Sequence, residues 1–163
     1  MPWKIAFPAY FASGMQRAVS WAKWLVLRKL VLAALLFILI GTSLELYLIG
    51  HYEDWKQLIP LVSIGLALLF VVGLAFIRRH WMLLAFRALL GFTALSGIYG
   101  IYLHLVVNYE FEQEISPTAD NWQLIRESLS GALPSLAPAS LIVLALIGYS
   151  YSIIITQKDE KVQ

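Results

Sequence analysis

Three groups of residues could do chemistry in an otherwise apolar chain. The first is a single carboxylate. Glu45 lies inside the apolar run Leu30 to Gly50, five residues short of its far end, which is about 8 Å along a helix. A carboxylate placed there is costly unless it is protonated, reaches water or headgroups, or meets a partner, so Glu45 is a candidate functional residue.

The second group is a stripe. Thr93, Gly97, Gly100, His104 and Asn108 follow one another at steps of 4, 3, 4 and 4. Those steps put all five on one face of a helix. The face is small and polar amid Leu, Ile, Val and Tyr, so it should turn toward another helix of this bundle or of a partner. Thr93, Gly97 and Gly100 would serve packing. His104 and Asn108 would either extend a polar intramembrane site with Glu45 or simply be hydrogen-bonded at the membrane edge.

The third group is acidic and imidazole-bearing. His51-Tyr-Glu-Asp-Trp follows the first apolar run, and Asn108-Tyr-Glu-Phe-Glu-Gln-Glu follows the third. If the two turns met, His51, Glu53, His104, Glu110 and Glu112 would offer nitrogen and oxygen ligands suited to zinc, manganese, iron or copper. His51 and His104 could alternatively ligate haem b. No HExxH and no paired Glu-x-x-His is present. A solvated acidic face explains the same residues, and the expectation is that no cofactor is bound.

The elements that must position these residues are apolar runs. Of the 163 residues 60% are hydrophobic and only 13% charged, about half the charged share of soluble domains. Mean hydropathy is +0.75. A bilayer core is spanned by about 20 apolar residues in a helix. Four such spans are expected, at about 30–50, 58–77, 82–107 and 139–156. Helix is required because an open strand would leave unpaired backbone groups in lipid. Pro60 is expected in the first turn of the second span, where a missing N–H costs little. The fold class is thus an all-α integral membrane protein, a four-transmembrane-helix bundle over residues 30–157.

Charge sets the orientation. The N-terminal arm, the 78–87 region and the C-terminal tail hold ten of the twelve Lys and Arg, whereas eight of the ten acids lie on the other side. By the positive-inside rule both termini face the cytoplasm, and a bacterial inner membrane is the expected location. Residues 1–29 mix Tyr10, Phe11, Trp21 and Leu25 with Arg17, Lys23 and Arg28. They are expected to form an interfacial amphipathic helix on an anionic leaflet. Residues 158–163 form a charged cytoplasmic tail.

The outer loop, 108–138, is expected to carry a short helix over about 121–130. Asp120 is its N-cap with Gln123 at capping-box spacing, Trp122, Ile125 and Leu129 form its apolar stripe, and Gly131 stops it. Pro134 and Pro138 then break the chain before the last span.

There is no cysteine, no Gly-rich phosphate loop, no Gly-x-Ser-x-Gly and no nucleic-acid module. The basic arm is accounted for by topology. The lipid bilayer and other membrane subunits, or a second copy, are the expected partners. Three functions fit: a non-catalytic accessory subunit of a larger membrane complex, a small oligomeric transporter using Glu45 and the His104 face, or a metal- or haem-binding redox protein. The first is preferred, given the small size and missing motifs.

Overall fold

The computed structural model describes the backbone of residues 7–77 and 79–160, with side chains over 19–77 and 79–157. The regular structure among the described residues is all helix: α1 (Phe7–Leu48), α2 (Trp55–Phe76), α3 (His80–Ile115), α4 (Asn121–Leu129) and α5 (Ala139–Glu160). Four of these, α1, α2, α3 and α5, carry segments long and apolar enough to cross a membrane.

The long helices alternate in direction. Gly97 of α3 sits against Leu141 and Ile142 near the start of α5, while Arg87, earlier in α3, reaches Ser152 and Thr156 near the end of α5. Each long helix packs on two others: α1 and α3 both pack on α2 and on α5, and α4 folds back onto α3. One end of the bundle therefore carries Arg79 and Arg87, and the other carries the His51 turn and α4. We call these the basic and acidic ends.

The core is mainly apolar. Leu35 and Leu39 of α1, Ile64 and Leu74 of α2, Phe86 and Leu90 of α3, and Leu144 and Ile155 of α5 are almost fully buried. Phe70 and Phe86 meet across α2 and α3 with ring centroids 6.0 Å apart. The outward faces are equally apolar: Phe37, Leu69, Phe76, Leu95 and Leu146 are all exposed.

Several boundaries differ from those read in the sequence. The arm and the first apolar run form one helix of 42 residues, about 63 Å long. No Gly or Pro stands between Gly14 and Gly41, so nothing interrupts the backbone where an interfacial helix was expected to hand over to a span. The arm's side chains up to residue 18, and the tail's beyond Gln157, lie outside the described residues.

Helix α2 begins at Trp55, not at Leu58. Asp54 caps it, and Gln57 returns the bond to the Asp54 backbone, a full capping box. Pro60 consequently falls in the second turn rather than the first. Its missing N–H leaves the Lys56 carbonyl without a helical donor, at an exposed position where water can serve. Helix α3 runs on to Ile115, past the apolar run that ends at Val107, because α4 packs against its polar extension.

Helix α4 starts where Asp120 predicts, with the Asp120 carboxylate accepting from the Gln123 N–H at 2.8 Å. Its expected apolar stripe turns away from the bundle. Leu124 and Ser128 are buried, whereas Trp122, Ile125 and Leu129 are exposed. Gly131 also acts differently. It has no positive φ. It is required because an added Cβ would lie 2.6 Å from Asn108 Cγ.

Candidate functional site

The sequence-derived residues cluster at the acidic end, and two locking motifs place them. The first is the end of α1. Gly50 has φ +70°, its N–H donates to Tyr47 O, and the His51 N–H donates to Leu46 O at 2.8 Å. This is a Schellman motif, for which glycine is the residue without a steric penalty. It fixes the His51 backbone directly beyond α1. Tyr47 and Tyr52 stack across the same turn at 5.7 Å.

The second lock is Asn108, 1% exposed. Its Oδ1 accepts from the Leu133 N–H at 2.9 Å. Its Nδ2 donates toward Leu133 O, Ser128 O and Ser135 Oγ at 2.7, 2.9 and 2.9 Å. An amide has two N–H groups, so one is shared. Ser135 Oγ in turn donates to Ser128 O at 2.8 Å. One side chain of α3 thus ties the end of α4 to the segment leading into α5.

One turn back along the stripe, His104 Nδ1 stands 3.1 Å from Pro134 O. A carbonyl only accepts, so Nδ1 carries the proton and neutral His104 is the Nδ1–H tautomer, leaving Nε2 as a free acceptor. Further back, Gly97 and Gly100 face α5 and its approach. A Cβ at Gly97 would lie 2.8 Å from Pro138 O, and one at Gly100 2.8 Å from Pro138 Cβ. Thr93 is fully buried and satisfies its hydroxyl on Leu89 O at 2.9 Å. The whole stripe therefore faces this chain's own α5 and the loop before it.

His51 and His104 come near each other. Burial, and then the charge of His104, push the His51 pKa below its ordinary value of 6.5. The unfolded chain thus binds this proton more readily than the native one. The neutral-His51 contribution is intact above about pH 6.5 and is lost as pH falls through that value, levelling below the native pKa. Thermal unfolding compared at about pH 7.5 and about pH 5 should show the wild type losing stability toward acid. His51→Gln should lose less; equal losses would remove His51 from the account.

The other expected members are not brought in. Glu53 and Glu110 are exposed. Among the described residues no three His, Asp or Glu side chains form a group that could hold a metal ion, so the set His51, Glu53, His104, Glu110 and Glu112 does not assemble. Glu45 is exposed as well. It shares the outer side of α1 with Phe37, Gly41, Leu44 and Leu48 and does not join His104 and Asn108.

A polar site that the sequence reading passed over lies toward the basic end. Arg87 Nε donates to Ser152 Oγ at 3.0 Å, and its Nη2 reaches Thr156 Oγ1 at 3.5 Å. Its guanidinium carbon sits 5.5 Å from the Tyr149 ring centroid, a cation–π distance. Tyr149, Ser152 and Thr156 recur at helical spacing on α5, which is the signal that could have paired them with an arginine lying within an apolar run.

No protein-family model matches the chain, and no curated protein or solved structure does either, so function is read from this geometry alone.

Proposed function

We propose that the chain is an integral membrane protein whose four long helices cross a bacterial inner membrane, with the basic end in the cytoplasm, and that it is a non-catalytic subunit docked through α1 onto a larger membrane protein. Apolar outward faces on all four long helices support the insertion, and the ten-to-two partition of basic residues supports the orientation.

The exposure of Glu45 on the apolar outer side of α1 carries the docking. Ionisable groups at membrane depth almost always face protein or water, because lipid cannot solvate them. Here the bundle's own helices do not cover the carboxylate. One turn below, Gly41 has open space where a side chain would be, which lets a neighbouring backbone come close. A partner helix presenting a hydrogen-bond donor or a cation at that depth answers both features.

An open groove of about 310 Å³ between α1 and α5 is lined by Leu30, Val31, Ala34, Ile147 and Ser150, without an ionisable group. Glu45 could line a path only between copies.

Gentle detergent extraction from native membrane, followed by mass spectrometry of the co-purifying chains, tests the docking. Wild type should bring down a larger membrane protein in fixed ratio. Glu45→Gln should lose that partner while the isolated protein keeps its stability to within about 0.5 kcal/mol, as for an exposed position. A homo-oligomer without a partner, or a partner retained by Glu45→Gln, would refute the docking through Glu45.

A further inference from the structure

Among the described residues, Arg87 has no charge of opposite sign paired with it. It is only partly exposed, and its described partners are two neutral hydroxyls and an aromatic face. The sole ion pair among the described residues is Arg126–Glu127, on α4 at the opposite end. A guanidinium has five N–H donors. Ser152 and Thr156 engage two, which leaves three with no hydrogen-bond acceptor among the described residues.

The placement is specific. Arg87 lies seven residues into α3, about 10 Å from the helix start. Exposed Leu84, Tyr149 and Ile153 flank it on the two helices, so its open side adjoins an apolar surface. Ser152 is fully buried and holds Nε, which orients the planar fork rather than letting it swing. A planar fork with parallel free N–H groups matches two oxygens of a phosphate. An acyl chain would lie along the flanking apolar side chains.

We propose that Arg87, oriented by Ser152, Thr156 and Tyr149, binds the phosphate of an anionic phospholipid at the seam between α3 and α5. The site rests on the membrane insertion proposed above, but not on docking through Glu45. It assigns Arg87 a ligand as well as a role in joining α3 to α5.

The protein reconstituted in nanodiscs of mixed phosphatidylglycerol and phosphatidylcholine, then released for native mass spectrometry, provides the test. Reconstitution reports insertion separately from lipid choice. Wild type should retain one phosphatidylglycerol in preference to phosphatidylcholine. Arg87→Gln should reduce that preference about fivefold, the usual effect of one basic residue on anionic-lipid attraction, whereas Arg79→Gln should not.

An Arg87→Gln protein that inserts and keeps the preference overturns the site. So does a wild type without preference, which would assign Arg87 to a carboxylate of the α5 tail, Asp159 or Glu160. If Arg87→Gln does not insert, Arg87→Lys decides, since it keeps the charge and loses the fork: a reduced preference supports the site and a wild-type preference overturns it. Millimolar inorganic phosphate separates the two phosphate sources. Lipid retained in its presence supports the headgroup, and lipid displaced by it overturns the lipid in favour of a soluble phosphate.

Discussion

Asn108→Asp should lower the unfolding free energy by about 2–4 kcal/mol, from the amide hydrogen bonds lost and a carboxylate oxygen set against carbonyl oxygens. The substitution is nearly isosteric, so it opens no cavity and isolates the hydrogen bonds. Asn108 is 1% exposed, and its Nδ2 serves Leu133 O, Ser128 O and Ser135 Oγ. An aspartate there sets a carboxylate oxygen against two carbonyls and must take up a proton to donate even once. Neutral or charged, it cannot restore the arrangement. Thermal unfolding in detergent measures the cost. Hydrogen exchange should locate it, with protection lost over 121–138 before the four long helices change. A variant within about 0.5 kcal/mol of wild type would show that the loop is held by other contacts.

Gly97→Leu should cost about 3 kcal/mol and spread α3 from α5, because overpacking is expensive where the neighbour cannot move. Even a Cβ at this position would be 2.8 Å from Pro138 O, 3.1 Å from Leu141 Cβ and 3.2 Å from Ile142 Cγ1. The closest of these is backbone, and Pro138 has no rotamer that clears it. Gly65 is the control. It lies in α2 with nothing within 4 Å of an added Cβ, so Gly65→Ala should be neutral or stabilising by up to about 1 kcal/mol from helix propensity. Unfolding midpoints of the two variants give the comparison. Equal effects would mean that the small face of α3 is not a packing face.

These two positions were legible before any fold was known, and for a physical reason. A period of three and four is a property of one helix, so Gly97, Gly100, His104 and Asn108 declare a shared face by themselves. What that face meets is not a property of one helix. Ser128, Leu133 and Ser135 reach Asn108 across 20 to 27 positions of sequence, and no local pattern encodes such a pairing. Gly131 shows the same limit. A glycine after a helix reads as a terminator, yet here its missing side chain makes room for Asn108.

Arg87 and Glu45 show what position along a helix leaves open. Arg87 counted as a flanking charge, because a positive residue near the start of a span obeys the orientation rule wherever it points. Its hydroxyl partners stand 65 and 69 positions away. Glu45 was considered for a site with His104 because both lie toward the acidic end. Depth follows from sequence position, but the side of α1 that faces the bundle follows from which helices pack on it.

By itself, then, the sequence determined the class: four apolar runs of spanning length, their alternation, the charge difference between the two ends, and the Asp120 cap that starts α4. Composition and short-range periodicity suffice for these, since each is settled by a single segment and its solvent. The tertiary structure alone decided the rest: that α1 runs unbroken from the arm, that α4 buries Leu124 rather than Trp122, that Asn108 locks the loop, that Arg87 docks on α5, and that Glu45 is left facing outward. Each of these depends on which helix face meets which, a choice made by the packing of distant segments.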